Sequence, residues 1–296
     1  MHYIFAPGLL SSGTVRTALL VGAVVAITSG VIGVFTVIRG QSFAGHSLAD
    51  VATTGGAGAF LAGMNQYWGF LIAGAAGALI MEGIGVQRRR GRDIATGVVL
   101  GGALGMAALF LYLGTQQSST TGASFAILFG SVFVLSQDTV PALIASGAIA
   151  LVITAVLTRV LLLSALSPDI ARARGVNVRL VGIVYLIALA INVSLSAVVI
   201  GAVLSTALLI GPAATALRIT RSPGKAMAVS AVTGVIATSL GIWLAFDSYY
   251  WPPHGKGWPV SFFVVVFVIA GYLLTYVNRL RLPFRSSREG AECSPA

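Results

Sequence analysis

The sequence predicts an all-α, polytopic transmembrane helical bundle, and three observations point there: 57% of its 296 residues are hydrophobic, only 9% are charged, and the mean hydropathy is +0.94. A soluble domain carries roughly 25% charged residues. That contrast excludes an ordinary water-soluble enzyme, a disordered chain and a disulfide scaffold. The apolar runs are continuous rather than alternating, which excludes a β-barrel. At about 20 residues per span, the chain has room for roughly eight to ten helices and little else. Its 36 glycines suit close helix packing in lipid, where small residues let backbones approach.

Nine apolar runs define the expected spans: Thr14 to Ile38, Phe43 to Met64, Tyr67 to Val86, Ile94 to Gly114, Thr139 to Ala165, Arg179 to Ile200, Gly201 to Leu217, Ala226 to Phe246 and Val260 to Val277. Ser124 to Leu135, between the fourth and fifth, is too short to cross and reads as an interfacial or re-entrant helix. Residues 1–280 therefore form one transmembrane domain, and 281–296 a flexible polar tail. No cleavable signal peptide is expected, because Arg16 follows rather than precedes the first apolar residues.

The net charge of +10 sits in short loops between these runs, which reads as membrane orientation rather than nucleic-acid binding. Arg88, Arg89, Arg90 and Arg92 crowd one loop; Arg172, Arg174 and Arg179 a second; Arg218, Arg221 and Lys225 a third; Arg279, Arg281, Arg285 and Arg288 the tail. Nine spans put all four clusters on one side, which the positive-inside rule makes cytoplasmic. The N-terminus and the aromatic loop Asp247 to Trp258 then lie outside. The single cysteine, Cys293, falls in the tail, so one chain has neither a disulfide framework nor a thiolate metal site.

Ionisable residues within apolar spans are costly and therefore informative. Of eight carboxylates, only Asp50 and Glu82 lie well inside spans. His46 precedes Asp50 by four residues, which puts both on one helical face. Imidazole and carboxylate together suit a divalent first-row metal such as zinc, manganese or iron. The alternative is a buried His–Asp hydrogen bond that joins helices. Glu82 is expected to pair with the arginines of the following loop, with a pathway role as the second reading. His254 reads as a loop residue within an aromatic belt, and His2 has no context.

Two further stretches stand out. In Ser167-Pro168-Asp169-Ile170-Ala171-Arg172-Ala173-Arg174-Gly175-Val176, Pro168 suits a first helical turn, Asp169 its positive end and Gly175 its termination. A short surface helix follows, either anchored to anionic lipid or docked to a soluble subunit. Gly201 to Ala216 reads as a short span interrupted by Gly211-Pro212, a break that either lines a cavity or kinks a packed helix.

The order of these segments resembles the membrane permease subunit of ABC-type importers for zinc, manganese and iron, from about Thr14 to Tyr276. Gly45-His46-Ser47-Leu48-Ala49-Asp50 with Gly55 is similar to that family's Gly-Asp-x-x-Ser-His pattern with a nearby glycine. Leu128-Phe129-Gly130-Ser131 followed by Ser136 resembles its Leu-Phe-Gly-Ser-x-x-x-x-Ser element. Asp169 to Val176 is similar to its coupling segment, with Ala171 and Ala173 flanking the expected alanine. Gly201 to Ala216 resembles its Gly-x-Leu-Leu-x-x-Ala-Leu-Leu-x-x-Pro-Ala-Ala-x-Ala run. Here the order of histidine and aspartate is exchanged, and Thr54 stands where the family usually has proline.

The resemblance implies a multi-pass protein of the bacterial cytoplasmic membrane that pairs with a copy of itself. It further implies an extracytoplasmic metal-binding solute-binding protein and two cytoplasmic ATP-binding subunits, with Pro168, Asp169, Ala171, Arg172, Ala173 and Gly175 as the coupling segment. The metal is cargo held by His46 and Asp50, not a resident cofactor, and Glu82, Gly211 and Pro212 are candidates for gating or the pathway. Lipid is an expected partner; nucleic acid is not. The chain itself has no phosphate-binding Gly-Lys-Ser/Thr loop, so it is read as a transport subunit rather than an enzyme. Metal loading requires a neutral His46 and an ionised Asp50, so acid opposes it. Rival readings are a siderophore or cobalamin permease, which needs no intramembrane ligands, and a cation-coupled secondary transporter, which needs no docking helix. An intramembrane protease ranks last, because nothing near His46 forms a nucleophile and oxyanion arrangement.

Overall fold

The computed structural model describes residues 12–84, 92–118, 121–130, 132–251 and 257–281. Among them every regular element is helical: α1 (Gly13–Ile38), α2 (Ser42–Leu61), α3 (Gln66–Ile84), α4 (Arg92–Ser118), α5 (Thr121–Phe129), α6 (Val140–Leu166), α7 (Pro168–Ala173), α8 (Val178–Ile200), α9 (Ala202–Ile219), α10 (Pro223–Ser248) and α11 (Val260–Arg281), with a 3-10 turn at Gln137–Thr139. Continuous helices follow from the apolar runs, because a backbone in hydrocarbon must satisfy its polar groups internally.

The nine runs correspond to α1 to α4, α6 and α8 to α11, and among the described residues six of these helices are long and apolar enough to cross a membrane. These six, α1, α4, α6, α8, α9 and α10, make the chain a multi-pass membrane protein. In α2 the shortfall has a chemical cause. Ser42, His46, Ser47, Asp50, Thr53 and Thr54 dilute its apolar residues.

Two boundaries differ from the sequence reading. The short helix expected at Ser124 to Leu135 is instead Thr121–Phe129, because Gly130 takes φ +86° and ends it. The interruption expected at Gly211-Pro212 lies ten residues earlier. Helix α9 runs unbroken through Pro212, whereas Gly201, at φ +104°, separates α8 from α9. A proline removes one hydrogen bond, and helices in membranes tolerate this when neighbours re-satisfy the freed group. A left-handed residue redirects the chain.

Gly130 and Gly201 touch. A Cβ on Gly130 would lie 2.6 Å from the Val199 carbonyl oxygen and 2.8 Å from the Gly201 nitrogen, so the end of α5 packs backbone to backbone against the α8–α9 corner. Gly55 of α2 and Gly69 of α3 are similarly apposed. Thr54, in the place of the usual proline, donates to the Ala103 carbonyl at 2.8 Å and ties α2 to α4.

Helices α1 and α8 form the centre, with 67% and 72% of their apolar windows buried, against 17% for α4 and 22% for α6. The outer faces of α4 and α6 expose Val98, Leu104, Met106, Val152 and Val156. Between α1 and α8, Ser29 donates to Asn192 at 3.2 Å and shares a 3.1 Å bond with Ser196. Thr36 meets the Tyr185 hydroxyl at 2.7 Å, and Ser194 donates to the Phe70 carbonyl of α3 at 2.9 Å. Such interhelical bonds are worth about 0.6–2 kcal/mol each in lipid.

The C-terminal ends of α1, α3 and α6 and the start of α8 share one end of the bundle. Arg39, which caps α1, donates to Ser164 near the end of α6 at 3.0 Å, and its guanidinium lies 5.3 Å from the Tyr185 ring centroid. Replacing Arg39 with methionine keeps length and loses both contacts. The expected cost is about 2–4 kcal/mol, from a charged hydrogen bond and a desolvated cation–π contact. Thermal melting of the purified full-length protein in lipid should show a lowered midpoint; an unchanged one would refute the clamp.

Candidate functional site

The site is built on α2. Its second turn opens with His46, and Asp50 lies one turn further along the same face, as the i, i+4 spacing requires. His46 Nε2 stands 3.7 Å from Asp50 Oδ2. This separation is too long for a hydrogen bond. It is suitable for a shared ion, since two ligands each about 2.1 Å from one metal and this far apart subtend roughly 120°.

Exposure divides the pair. The His46 side chain is 40% exposed and that of Asp50 only 9%. Asp50 Oδ2 is buried with no hydrogen-bond partner. An orphaned carboxylate oxygen facing an imidazole nitrogen is costly as it stands. A cation between them relieves that cost. No cluster of three or more His, Cys, Asp or Glu occurs among the described residues, so one chain offers two such donors and leaves the rest of a coordination shell to other groups.

The structure adds a residue that the sequence reading missed. Thr206, on α9, lies 2.9 Å from His46 Nδ1 through its hydroxyl oxygen. The sequence signal was faint: one of two threonines in an apolar run, 160 residues away. Gly45 permits the approach of α9, because a Cβ there would lie 3.0 Å from Leu209 Cδ2.

Glu82, near the end of α3, pairs with Arg179 of α8 at 3.6 Å. Its expected partners Arg88, Arg89 and Arg90, and the side chain of Arg92, lie outside the described residues. Glu82 Oε2 is buried without a hydrogen-bond partner, and the glutamate sits on a different helix from the His46–Asp50 pair. Gly211 packs against the Val268 side chain of α11, and Pro212 is buried within α9. His2, His254 and Cys293 lie outside the described residues.

The short surface helix forms as expected. The Ser167 hydroxyl accepts from the Ile170 N–H, Pro168 occupies the first turn, and Asp169 pairs with Arg172 at 2.9 Å. Its far end is a Schellman motif: the Gly175 N–H donates to the Arg172 carbonyl at 2.9 Å and the Val176 N–H to the Ala171 carbonyl at 3.0 Å, with Gly175 at φ +79°. Ala171 is fully buried within the chain, so it seats α7 on its neighbours rather than presenting itself to a partner. Asp169, Ile170, Arg172, Ala173, Arg174 and Gly175 form the exposed side.

The match to known proteins spans this whole architecture. Residues 11–273 match the ABC 3 transport family. The chain is 30% identical over 246 residues to the manganese transport system membrane protein MntC of Listeria innocua, covering 82% of this chain and 85% of that one. It is 28% identical over 244 residues to the manganese import system permease protein ScaB of Streptococcus parasanguinis, with 82% and 85% covered. In fold it is similar to PsaBC from Streptococcus pneumoniae, solved in complex with Fab, with a TM-score of 0.77 at 24% identity over 91% of this chain and 93% of that one. The family match runs from the start of α1 into the last turns of α11 and includes the helix that bears His46 and Asp50: the chain belongs to the ABC 3 transport family.

Proposed function

We propose that this chain is the permease subunit of an ATP-driven importer that moves a divalent transition metal, manganese first among manganese, zinc and iron, into the cell. The observation that carries the reading is the His46–Asp50 pair, 3.7 Å apart on one helix with an orphaned carboxylate oxygen. Membership of the ABC 3 transport family and the manganese transport named for relatives in Listeria and Streptococcus support it. The mixed donors suit this set of ions, since carboxylate oxygen suits manganese and imidazole nitrogen suits zinc and iron.

Two copies of the chain would bring two such faces to one path and double the donors. Nine spans, with the N-terminus outside and the arginine-rich end in the cytoplasm, follow from the positive-inside rule. Ion pairs and hydrogen bonds that gather Arg39, Arg179 and α7 at one end of the bundle are consistent with that orientation. A solute-binding protein would deliver the ion at the other end, and ATP-binding subunits would dock on the exposed side of α7. Transport then proceeds by alternating access, in which ATP-driven states differ in affinity for the ion.

Expression with the ATPase and binding protein of a related manganese importer, in a bacterium that lacks manganese import, should restore growth on limiting manganese. Uptake of the radiolabelled ion should be blocked by excess free metal and unaffected by a metal–siderophore chelate. Competition by the chelate alone would favour a chelate permease.

Docking gives a separate test. Gly175 has open space around it and a left-handed backbone that asparagine and aspartate adopt more readily than other side chains, so aspartate there differs from asparagine chiefly in the charge it adds to the exposed side. Gly175→Asp should reduce metal-stimulated ATPase activity at least about tenfold in the co-expressed complex, whereas Gly175→Asn, of the same size but uncharged, should retain most of it. Equal activity in the two variants would remove α7 from the coupling.

A further inference from the structure

We propose that Thr206 is the positioning residue of the ion site: its hydroxyl holds the His46 proton on Nδ1, leaves Nε2 free to bind the ion beside Asp50, and makes the site's affinity depend on how α9 lies against α2. This rests on the reading of His46 and Asp50 as ligands and goes beyond it.

The geometry assigns the two imidazole nitrogens to different tasks. Nδ1 is 2.9 Å from Thr206 Oγ1, within hydrogen-bond range, and Nε2 faces the orphaned Asp50 oxygen at 3.7 Å. A neutral imidazole has one donor nitrogen and one acceptor nitrogen; the Thr206 hydroxyl can donate to Nδ1 or accept from it, and only the accepting arrangement leaves the Nε2 lone pair for a cation. Nδ1–H donating to Thr206 places the lone pair on Nε2, on the side of the carboxylate. The opposite tautomer points an N–H at the place where a cation must sit. An outer partner of this kind also fixes the orientation of the ring, which matters for a side chain 40% exposed and otherwise free to turn.

The second part of the proposal follows from topology. His46 and Asp50 share α2 and move together in any rigid displacement of that helix. Their mutual geometry therefore cannot, by itself, distinguish an ion-loading state from an ion-releasing one. Thr206 lies on another helix, five residues beyond the left-handed Gly201 that turns α8 into α9. A shift of α9 against α2 breaks the Thr206 bond, frees the imidazole to rotate and change tautomer, and weakens the site without moving either ligand's backbone. Differential affinity is what a transport cycle requires.

The experiment uses the full-length chain in lipid nanodiscs with Mn²⁺ as the probe. Free ion is read by electron paramagnetic resonance, and the imidazole nitrogens by ¹⁵N NMR. The chain has only three histidines, and His46→Ala assigns the signal of interest. Thr206→Val keeps the shape and removes the hydroxyl, while Thr206→Ser keeps the hydroxyl. Thr206→Val should weaken Mn²⁺ binding about 10–100-fold and shift His46 away from the Nδ1–H tautomer, with the melting midpoint little changed. Thr206→Ser should stay within about threefold of the parent and retain the tautomer.

Unaltered affinity and tautomer in Thr206→Val overturn the proposal, and so does an equal loss in Val and Ser, which would make the residue a packing element. Binding that survives in His46→Ala overturns the ligand reading itself, and the role of Thr206 with it. Binding lost in His46→Ala but kept in Thr206→Val leaves the ligands standing and removes Thr206 alone.

Discussion

Replacing Asp50 with alanine is expected to abolish metal uptake per assembled complex. Loss of an outer-shell partner typically costs 10–100-fold in affinity or activity, and removal of one of two donors from the chain should exceed that, on the order of a hundredfold or more. The surviving imidazole cannot offset dehydration of a divalent ion alone. Asp50→Asn separates chemistry from packing. It keeps the volume in a site only 9% exposed, yet loses the charge, and should fail nearly as badly in uptake while it assembles normally. His46→Ala should behave like Asp50→Ala. The exchanged double variant, His46→Asp with Asp50→His, keeps the donor count on one helical face and restores the order usual in the family. Some transport should return, with an altered preference among manganese, zinc and iron.

Radiolabelled uptake, normalised to complex recovered from the membrane, decides between this and a structural His–Asp link. A purely structural pair predicts that the alanine variants lose protein from the membrane and keep full activity per molecule. Undiminished uptake in both would eliminate His46 and Asp50 as ligands.

What the sequence made legible, and what it did not, follows from the range of the physics involved. Hydropathy runs became helices because lipid leaves the backbone no alternative. The shared face of His46 and Asp50 was legible because helical spacing is local. So was the end of α7, where Gly175 supplies the left-handed residue that a Schellman turn needs. Thr206 was not legible, because its role exists only once α9 lies against α2, a tertiary fact with no local pattern. Arg39 was likewise outside the four arginine clusters and acquired meaning only beside Ser164 and Tyr185. Ala171 reads in sequence as a small residue suited to a docking surface, yet its burial turns it inward. The Gly-Pro pair misled for a related reason: sequence shows that a helix can break there, but only neighbouring helices determine whether it does.

That last contrast gives the second large effect. Gly201→Val is expected to eliminate folded protein from the membrane. At φ +104° a β-branched residue is strained before any neighbour is considered. Its Cβ would also overlap the backbone of Leu128 and Phe129 and lie 2.6 Å from the Gly130 nitrogen. Backbone cannot step aside as a side chain can, so the cost should reach about 4 kcal/mol or more, in the range reserved for severe strain and overpacking. Gly211→Ala is the matched control. Its added methyl meets only the Val268 side chain, and α9 is already helical there, so rotamer adjustment should hold the loss to about 1–3 kcal/mol. Fluorescence-detected gel filtration of tagged full-length protein, with thermal challenge, ranks the two. If Gly201→Val survives as well as Gly211→Ala, the corner between α8 and α9 is not the rigid point that sets where α9, and with it Thr206, meets the ion site.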